Sequence, residues 1–221
     1  MYYSVGPQYC YNLLFTVAKK FFTRPAAELE LEDFQRAYQG WLGSVLPDLP
    51  APQQLGVELT NDEAREEQLV APLFQPSPLD DRDVYKDAKN YQNVRRDRDL
   101  LGREVAHLTE SLAEFRQRDP GFWEVFDIFT NFVVCTESKY TPGGTSSAAL
   151  GVIYVVRPQD RTPHSLYELF VHEVTHLMMF VDERRSRHYR SDALIAVKDN
   201  YVVSAVYERL RPLDKVLHSI V

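Results

Sequence analysis

The chain has 221 residues, 44% of them apolar and 12% aromatic, so it is long enough and apolar enough to fold around one substantial core. Its formal charge of −7 argues against a nucleic-acid partner, because a phosphate-binding surface needs clustered Lys and Arg. The two cysteines, Cys10 and Cys135, have no CxxC or Cys/His spacing, which predicts reduced thiols in a cytoplasmic protein rather than disulfides or a cysteine zinc site.

The N-terminal region, residues 1–80, is predicted to be helical with a proline-rich connector. No basic segment precedes its first apolar stretch, so that stretch predicts an amphipathic helix and neither a signal peptide nor a membrane span. A second helix is predicted from about residue 28 to 46. Residues 47–80 are rich in proline, which disfavours helix, so at most one short helix is expected there. The first helix carries apolar residues at helical spacing, namely Tyr11, Leu14, Phe15 and Ala18.

The remaining region, residues 81–221, contains an H-E-x-x-H sequence at residues 172–176 and is therefore predicted to be the metal-binding catalytic part of one compact unit. A charge-rich stretch up to residue 117 predicts one or two surface helices, and FWEVFDIFTNFVV predicts a buried helix. A glycine- and serine-rich lead-in then precedes a β-branched strand, Leu150–Val156. A helix follows to about Arg185, capped by Thr162 or by a Ser165–Glu168 box, and a last helix is predicted to about Leu210. The fold class expected is α+β, predominantly α-helical, with a zincin-like helix after a short strand.

The sequence VHEVTH within that helix contains an H-E-x-x-H motif. On a helix of ~3.6 residues per turn, His172 and His176 lie one turn apart and only ~40° around the axis, so both imidazoles can reach one metal ion. Glu173 lies ~100° from His172, where it can reach a water bound to the metal. We therefore predict a divalent metal site in a dry, apolar shell, beside an edge strand able to hold an extended peptide.

The third ligand is not indicated by the motif itself. Metzincins carry a glycine where this chain has Met179, so the helix is expected to continue past the motif. Asp182 then points about 240° around the axis from His176, and Glu183 lies ~10 Å further along it. Neither is a good ligand, which leaves three candidates further along the chain, namely His188, Glu208 and His218.

VHEVTH, the following LMMFVDERRSRHYR and the later RPLDKVLHSIV together resemble the bacterial HEXXH-motif peptide-modification proteins over roughly residues 120–221. Some of that group are iron- and 2-oxoglutarate-dependent peptide β-hydroxylases in the maturation of ribosomally made natural-product peptides. The resemblance implies that His172, His176 and His218 bind Fe²⁺. It also implies that Arg211 pairs with the carboxylate of 2-oxoglutarate and takes part in catalysis.

Three functions remain open from the sequence, and modification of a peptide is the one that we predict first. With Fe²⁺ and 2-oxoglutarate the protein would hydroxylate a peptide, which the resemblance favours. With Zn²⁺ it would be a metallopeptidase of the zincin-like type that shares the core motif, with Glu173 as general base, which the residues alone favour. The third hypothesis is a non-catalytic binding protein whose metal only stabilises the fold, and this would require a closed site with four ligands.

Overall fold

Helices make up most of the part of the chain that the computed structural model describes, and six short strands complete it. The predicted class, α+β and predominantly α-helical, is confirmed. Among the described residues, no helix has both the length and the apolar character needed to cross a membrane. The described residues are 7–60, 62–74, 98–136, 143–186, 188, 191–195, 197–203 and 210–211.

Three helices and one strand form the N-terminal region. Helix α1 spans Pro7–Val17 and helix α2 spans Leu31–Val45, as the apolar periodicity predicts. The connector contains strand β1, Glu58–Leu59, which the sequence pattern does not indicate. Its described part also contains the one short α-helix that the prolines were predicted to allow, α3, Glu63–Val70. The side chain of Asp62 caps α3 by accepting a hydrogen bond from the backbone N–H of Arg65 at 2.9 Å. Short 3-10 turns lie at Lys19–Phe21, Ala26–Glu28 and Ala71–Phe74.

The middle of the chain forms two helices and a strand. Helix α4 spans Arg98–Arg118, and helix α5 spans Pro120–Phe129. The predicted continuation of α5 through FVV is wrong, because Phe132–Thr136 forms strand β2, whose five residues are all buried. The backbone N–H groups of Asn131 and Phe132 donate to the carbonyl oxygen of Gly151 at 2.7 and 3.0 Å, which ties this segment to the next strand. A strand buried on both faces is apolar throughout and therefore resembles a buried helix in sequence.

The main sheet has four strands in the order β1-β2-β4-β3. Strand β4, Val152–Val156, confirms the predicted strand and pairs in parallel with β2, with Val134 opposite Tyr154. Strand β3, Gly143–Gly144, pairs antiparallel with β4 and is the outermost described strand on that side. The predicted strand is therefore interior, and the expectation that it forms an edge beside the metal is wrong. The strand at this edge of the described sheet is β3, which lies in the glycine-rich lead-in.

Helix α6, Pro163–Arg185, contains the H-E-x-x-H motif. Thr162 caps it by accepting a hydrogen bond from the backbone N–H of Ser165 at 3.2 Å, which is the first of the two predicted caps. One face of α6 packs against α1 and α5. Residues on both sides of position 80 share the resulting core, and Cys10 Sγ lies 3.9 Å from Met178 Sδ within it. The apolar residues of this face include Leu166, Phe170, Val174, Leu177, Met178 and Val181.

The described residues of the C-terminal part form short elements rather than the helix predicted to about Leu210. Helix α7 spans Asp192–Ile195, and a 3-10 turn follows at Lys198–Asn200. Strands β5, Val202–Val203, and β6, Leu210–Arg211, pair antiparallel, so the helical prediction is wrong here. The two valines of β5 are β-branched, which favours extended backbone over helix. The predicted kink after residue 211 and the helix that would follow it lie outside the described residues.

Candidate metal centre

His172 and His176 project from the middle of α6 toward one point. Their Nε2 atoms lie 2.9 Å apart, and the two rings are 4.4 Å apart between centroids at an angle of 84°. Two nitrogen atoms that each bind one zinc ion at ~2.0–2.1 Å lie about 3 Å apart, so the pair fits one metal ion. Without a metal, the same separation suits a hydrogen bond from a ring protonated on Nε2 to the other ring. The predicted convergence of the two imidazoles is present.

The histidines are more accessible than the dry shell predicted from the sequence. His172 is exposed and His176 is half-buried, because the stripe that carries them lies opposite the packed face of α6. The part of the His172 ring that is buried still lowers its pKa below the ordinary value, because desolvation disfavours the imidazolium. A lowered pKa favours the neutral imidazole, which is the form that binds metal ions.

Glu173 lies on the inner side of the histidine pair and is only 5% exposed. Burial raises the pKa of its carboxyl group from 4.5 to about 8, and desolvation is the cause. Within the described ranges this carboxyl group forms no hydrogen bond and no ion pair. A buried carboxyl group without a partner is costly, and a raised pKa near neutrality is typical of catalytic carboxylates.

The described residues do not supply a third ligand. No group of three or more His, Cys, Asp or Glu residues that could hold a metal ion occurs among them. His188, one of the three candidates, lies at the end of α6, where its Nε2 is 3.0 Å from Asp182 Oδ2 and its Nδ1 is 3.7 Å from Glu183 Oε1. Asp182 also pairs with Arg185 at 2.5 Å. Two candidates, Glu208 and His218, lie outside the described residues.

Arg211, which the resemblance assigns to the co-substrate, lies in β6. The structure describes its backbone but not its side chain. The proposed pairing between Arg211 and a 2-oxoglutarate carboxylate therefore stays a prediction.

The outermost described strand, β3, lies against α6 at Leu169. A Cβ atom added at Gly143 would overlap the carbonyl oxygen of Tyr154 and would lie 3.1 Å from Leu169 Cδ2. Leu169 precedes His172 by three residues, so glycine allows β3 to approach the helix immediately before the metal ligands. The sequence signal for this approach is the Gly-Gly pair, which the pattern alone indicates only as a lead-in to the strand.

Helix α6 thus carries two imidazoles and a buried carboxyl group, and the outermost described strand lies against it at Leu169. Two imidazoles can hold a divalent ion in part, and a carboxyl group beside them can exchange a proton with a water molecule bound to that ion. Comparison with known proteins adds no family name to this geometry: no protein-family model matches the chain, and no curated protein matches it.

Proposed function

We propose that the protein is a mononuclear metalloenzyme that acts on a peptide, with His172 and His176 as two of its metal ligands. The observation that carries the proposal is the 2.9 Å separation of the two Nε2 atoms on a helix that also carries Glu173. The exposure of His172 supports a site open to substrate rather than the closed site of a structural metal.

Hydrolysis is the chemistry that the described residues support best. A bound Zn²⁺ would act as a Lewis acid and lower the pKa of a water molecule. Glu173 is the residue that would accept the proton of this water, because it follows the first ligand directly. Its pKa of about 8 falls within reach of neutral pH, and a nearby cation would lower that pKa and favour the ionised base.

Strand β3 supports a peptide as the substrate. It is the outermost described strand of the sheet and contacts Leu169, three residues before His172. An extended peptide can add to such a sheet edge through backbone hydrogen bonds, which recognise a peptide without reading its sequence. A peptide in that position would pass beside the two histidines.

Hydroxylation of a peptide with Fe²⁺ and 2-oxoglutarate is the second candidate, favoured by the likeness of VHEVTH and RPLDKVLHSIV to the peptide-modification proteins. In that case His218 would complete the ligand set, and Arg211 would hold the co-substrate. Glu173 would then accept no proton during the reaction and would only orient a ligand or a water molecule. Both candidates share the two histidines and differ in the metal and in the task of Glu173.

Anaerobic reconstitution followed by mass spectrometry separates the two candidates. The metal-free chain is loaded with Zn²⁺ or with Fe²⁺ and incubated with a mixed library of synthetic peptides, with and without 2-oxoglutarate and O₂. Cleavage with zinc alone supports the peptidase, and loss of cleavage in Glu173→Gln with metal retained assigns the base. Products heavier by one oxygen that need iron, 2-oxoglutarate and O₂ support the hydroxylase. Absence of both products contradicts an enzyme that acts on peptides.

Removal of the metal tests the non-catalytic alternative. A chelator should leave the helical circular-dichroism signal nearly unchanged, because α6 is held by its packed face against α1 and α5. Collapse of that signal on chelation would instead indicate a metal that stabilises the fold.

A further inference from the structure

The exposed side of α6 carries more than the two metal ligands. His164, Glu168, His172 and His176 follow one another at intervals of four residues. Each step of four residues turns only ~40° around a helix, so successive members of the series are neighbours roughly 6 Å apart. The four side chains form a polar stripe, and its N-terminal half precedes the metal ligands by one to two turns.

The N-terminal half of the stripe is accessible to a ligand. The side chains of His164 and Glu168 are each 69% exposed, and His164 Nε2 lies 3.5 Å from Glu168 Oε1. In the described part of the chain, His164 is the only side chain that pairs with Glu168. An exposed pair of this kind contributes little to stability and exchanges readily for another partner.

Arg161, the arginine that precedes Glu168 most closely in the sequence, does not neutralise its carboxylate. Arg161 instead donates to Ser165 Oγ and to the carbonyl oxygen of Val156, each at 3.4 Å. The carboxylate of Glu168 therefore remains available for a cationic group that approaches from solvent.

Strand β3 lies beside this part of the helix. Gly143 approaches Leu169, the residue directly after Glu168 and three before His172. A peptide that added to this edge of the sheet would lie near the turn of α6 that contains Leu169, between Glu168 and His172 in sequence. One of its side chains would then come within reach of the Glu168 carboxylate while a residue close to it lay at the metal.

We infer that Glu168 is a specificity-determining residue that selects a peptide carrying Lys or Arg next to the residue that reacts at the metal. The inference rests on the proposed function, because it requires a peptide substrate. An exposed carboxylate paired with one ammonium or guanidinium group changes kcat/KM by up to about fivefold. Reversal of the charge at position 168 should reverse the preference.

The test compares matched peptides that differ at one position beside the reacting residue. Each set contains Lys, norleucine, which has nearly the same length without the charge, or Glu. The metal-loaded wild type is compared with Glu168→Gln and Glu168→Lys. Glu114→Gln is the control, because Glu114 is an exposed glutamate on α4 whose loss changes the net charge equally. Metal content is measured for each variant.

The wild type and Glu114→Gln should turn over the Lys peptide about fivefold faster than the norleucine peptide. Glu168→Gln should lose this preference, and Glu168→Lys should prefer the Glu peptide. Equal turnover of the three peptides by the wild type, or an unchanged preference in Glu168→Lys, overturns the role of Glu168 and leaves the proposed function standing. No turnover of any peptide by the metal-loaded wild type overturns the proposed function, and the role of Glu168 with it.

Discussion

Glu173 and Asp182 are two carboxyl residues of the same helix, and they are nearly equally buried, at 5% and 6% exposed. Asp182, near the C-terminal end, pairs with Arg185 and His188. Glu173, in the middle, forms no ion pair or hydrogen bond with any described residue. Burial raises the pKa of Glu173 to about 8. Asp182 therefore stabilises the fold, whereas Glu173 lowers its stability and remains available for a ligand or a reaction.

The largest expected effect concerns the ligands beside Glu173. His172→Ala and His176→Ala should each lower zinc affinity by more than about 100-fold. Loss of a residue that only supports a metal ligand lowers affinity by up to about that factor, and loss of the ligand itself should lower it more. Neither change should lower the melting temperature of the metal-free protein appreciably, because both imidazoles lie opposite the packed face of α6. Isothermal titration with Zn²⁺ measures the affinity. Stoichiometric, undiminished binding in both variants would remove the metal centre from this helix.

Asp182→Asn should be the most destabilising of the carboxyl substitutions. It leaves Arg185 and His188 without the charge that they bind, and the expected loss is about 2–3 kcal/mol in the free energy of unfolding. The loss should fall below that of a fully buried ion pair, because the side chains of Arg185 and His188 remain 33% and 26% exposed. Urea denaturation measures it, with Asp48→Asn, the same substitution at an exposed aspartate, as the matched control. A loss no larger than that of the control would contradict a stabilising role.

Glu173→Gln should act in the opposite direction and stabilise the metal-free protein. The substitution removes a charge that is buried without a partner, while the buried amide retains part of the desolvation penalty. The expected gain is about 1–2 kcal/mol at pH 8 in the presence of a chelator. Enzymatic turnover by the metal-loaded variant should fall at the same time, as in other trade-offs between stability and activity. A destabilised variant would mean that Glu173 has a partner that stabilises it.

The difference in the free energy of unfolding between Glu173→Gln and the wild type, here the stability gap, should depend on pH. A carboxyl group whose pKa is raised in the folded state contributes stability that is fully present below its unfolded pKa of 4.5 and is lost as the pH rises toward about 8. The wild type should therefore lose stability relative to Glu173→Gln between pH 4.5 and about pH 8, and should lose little more at higher pH. Thermal melts of both metal-free proteins across that range measure the gap. A gap that is constant with pH would contradict the raised pKa.

Local signals in the sequence were sufficient to predict α6. A capping threonine, a proline at the first helical position and a regular apolar face predicted its bounds, and the four-residue spacing of His172 and His176 predicted their convergence. These features depend on neighbours within one or two helical turns. The burial of Glu173 depends on how α1 and α5 pack around the helix, so the motif could not predict it.

Pairing between distant segments explains the wrong predictions. Strand β2 follows α5 with little turn signal, and its pairing with β1 and β4 decides that Phe132–Thr136 is extended. Strands β5 and β6 are two residues each, and their pairing joins Val202 to Arg211 across a stretch with a helical pattern. Gly143 was visible in the sequence, but its contact with Leu169 requires the register between β3 and β4.

The contact between Cys10 and Met178 joins α1 to the metal-binding helix across 168 positions of sequence. During synthesis, α1 leaves the ribosome long before α6. Helix α2 can cover part of its apolar face early, but the part that packs against α6 has no partner until most of the chain has been made. A core built from such distant segments has a high contact order, which slows folding. Unpartnered apolar helices are also prone to aggregation during that interval. The histidine pair therefore gains its packed support late, and we expect metal loading to follow release of the nearly complete chain.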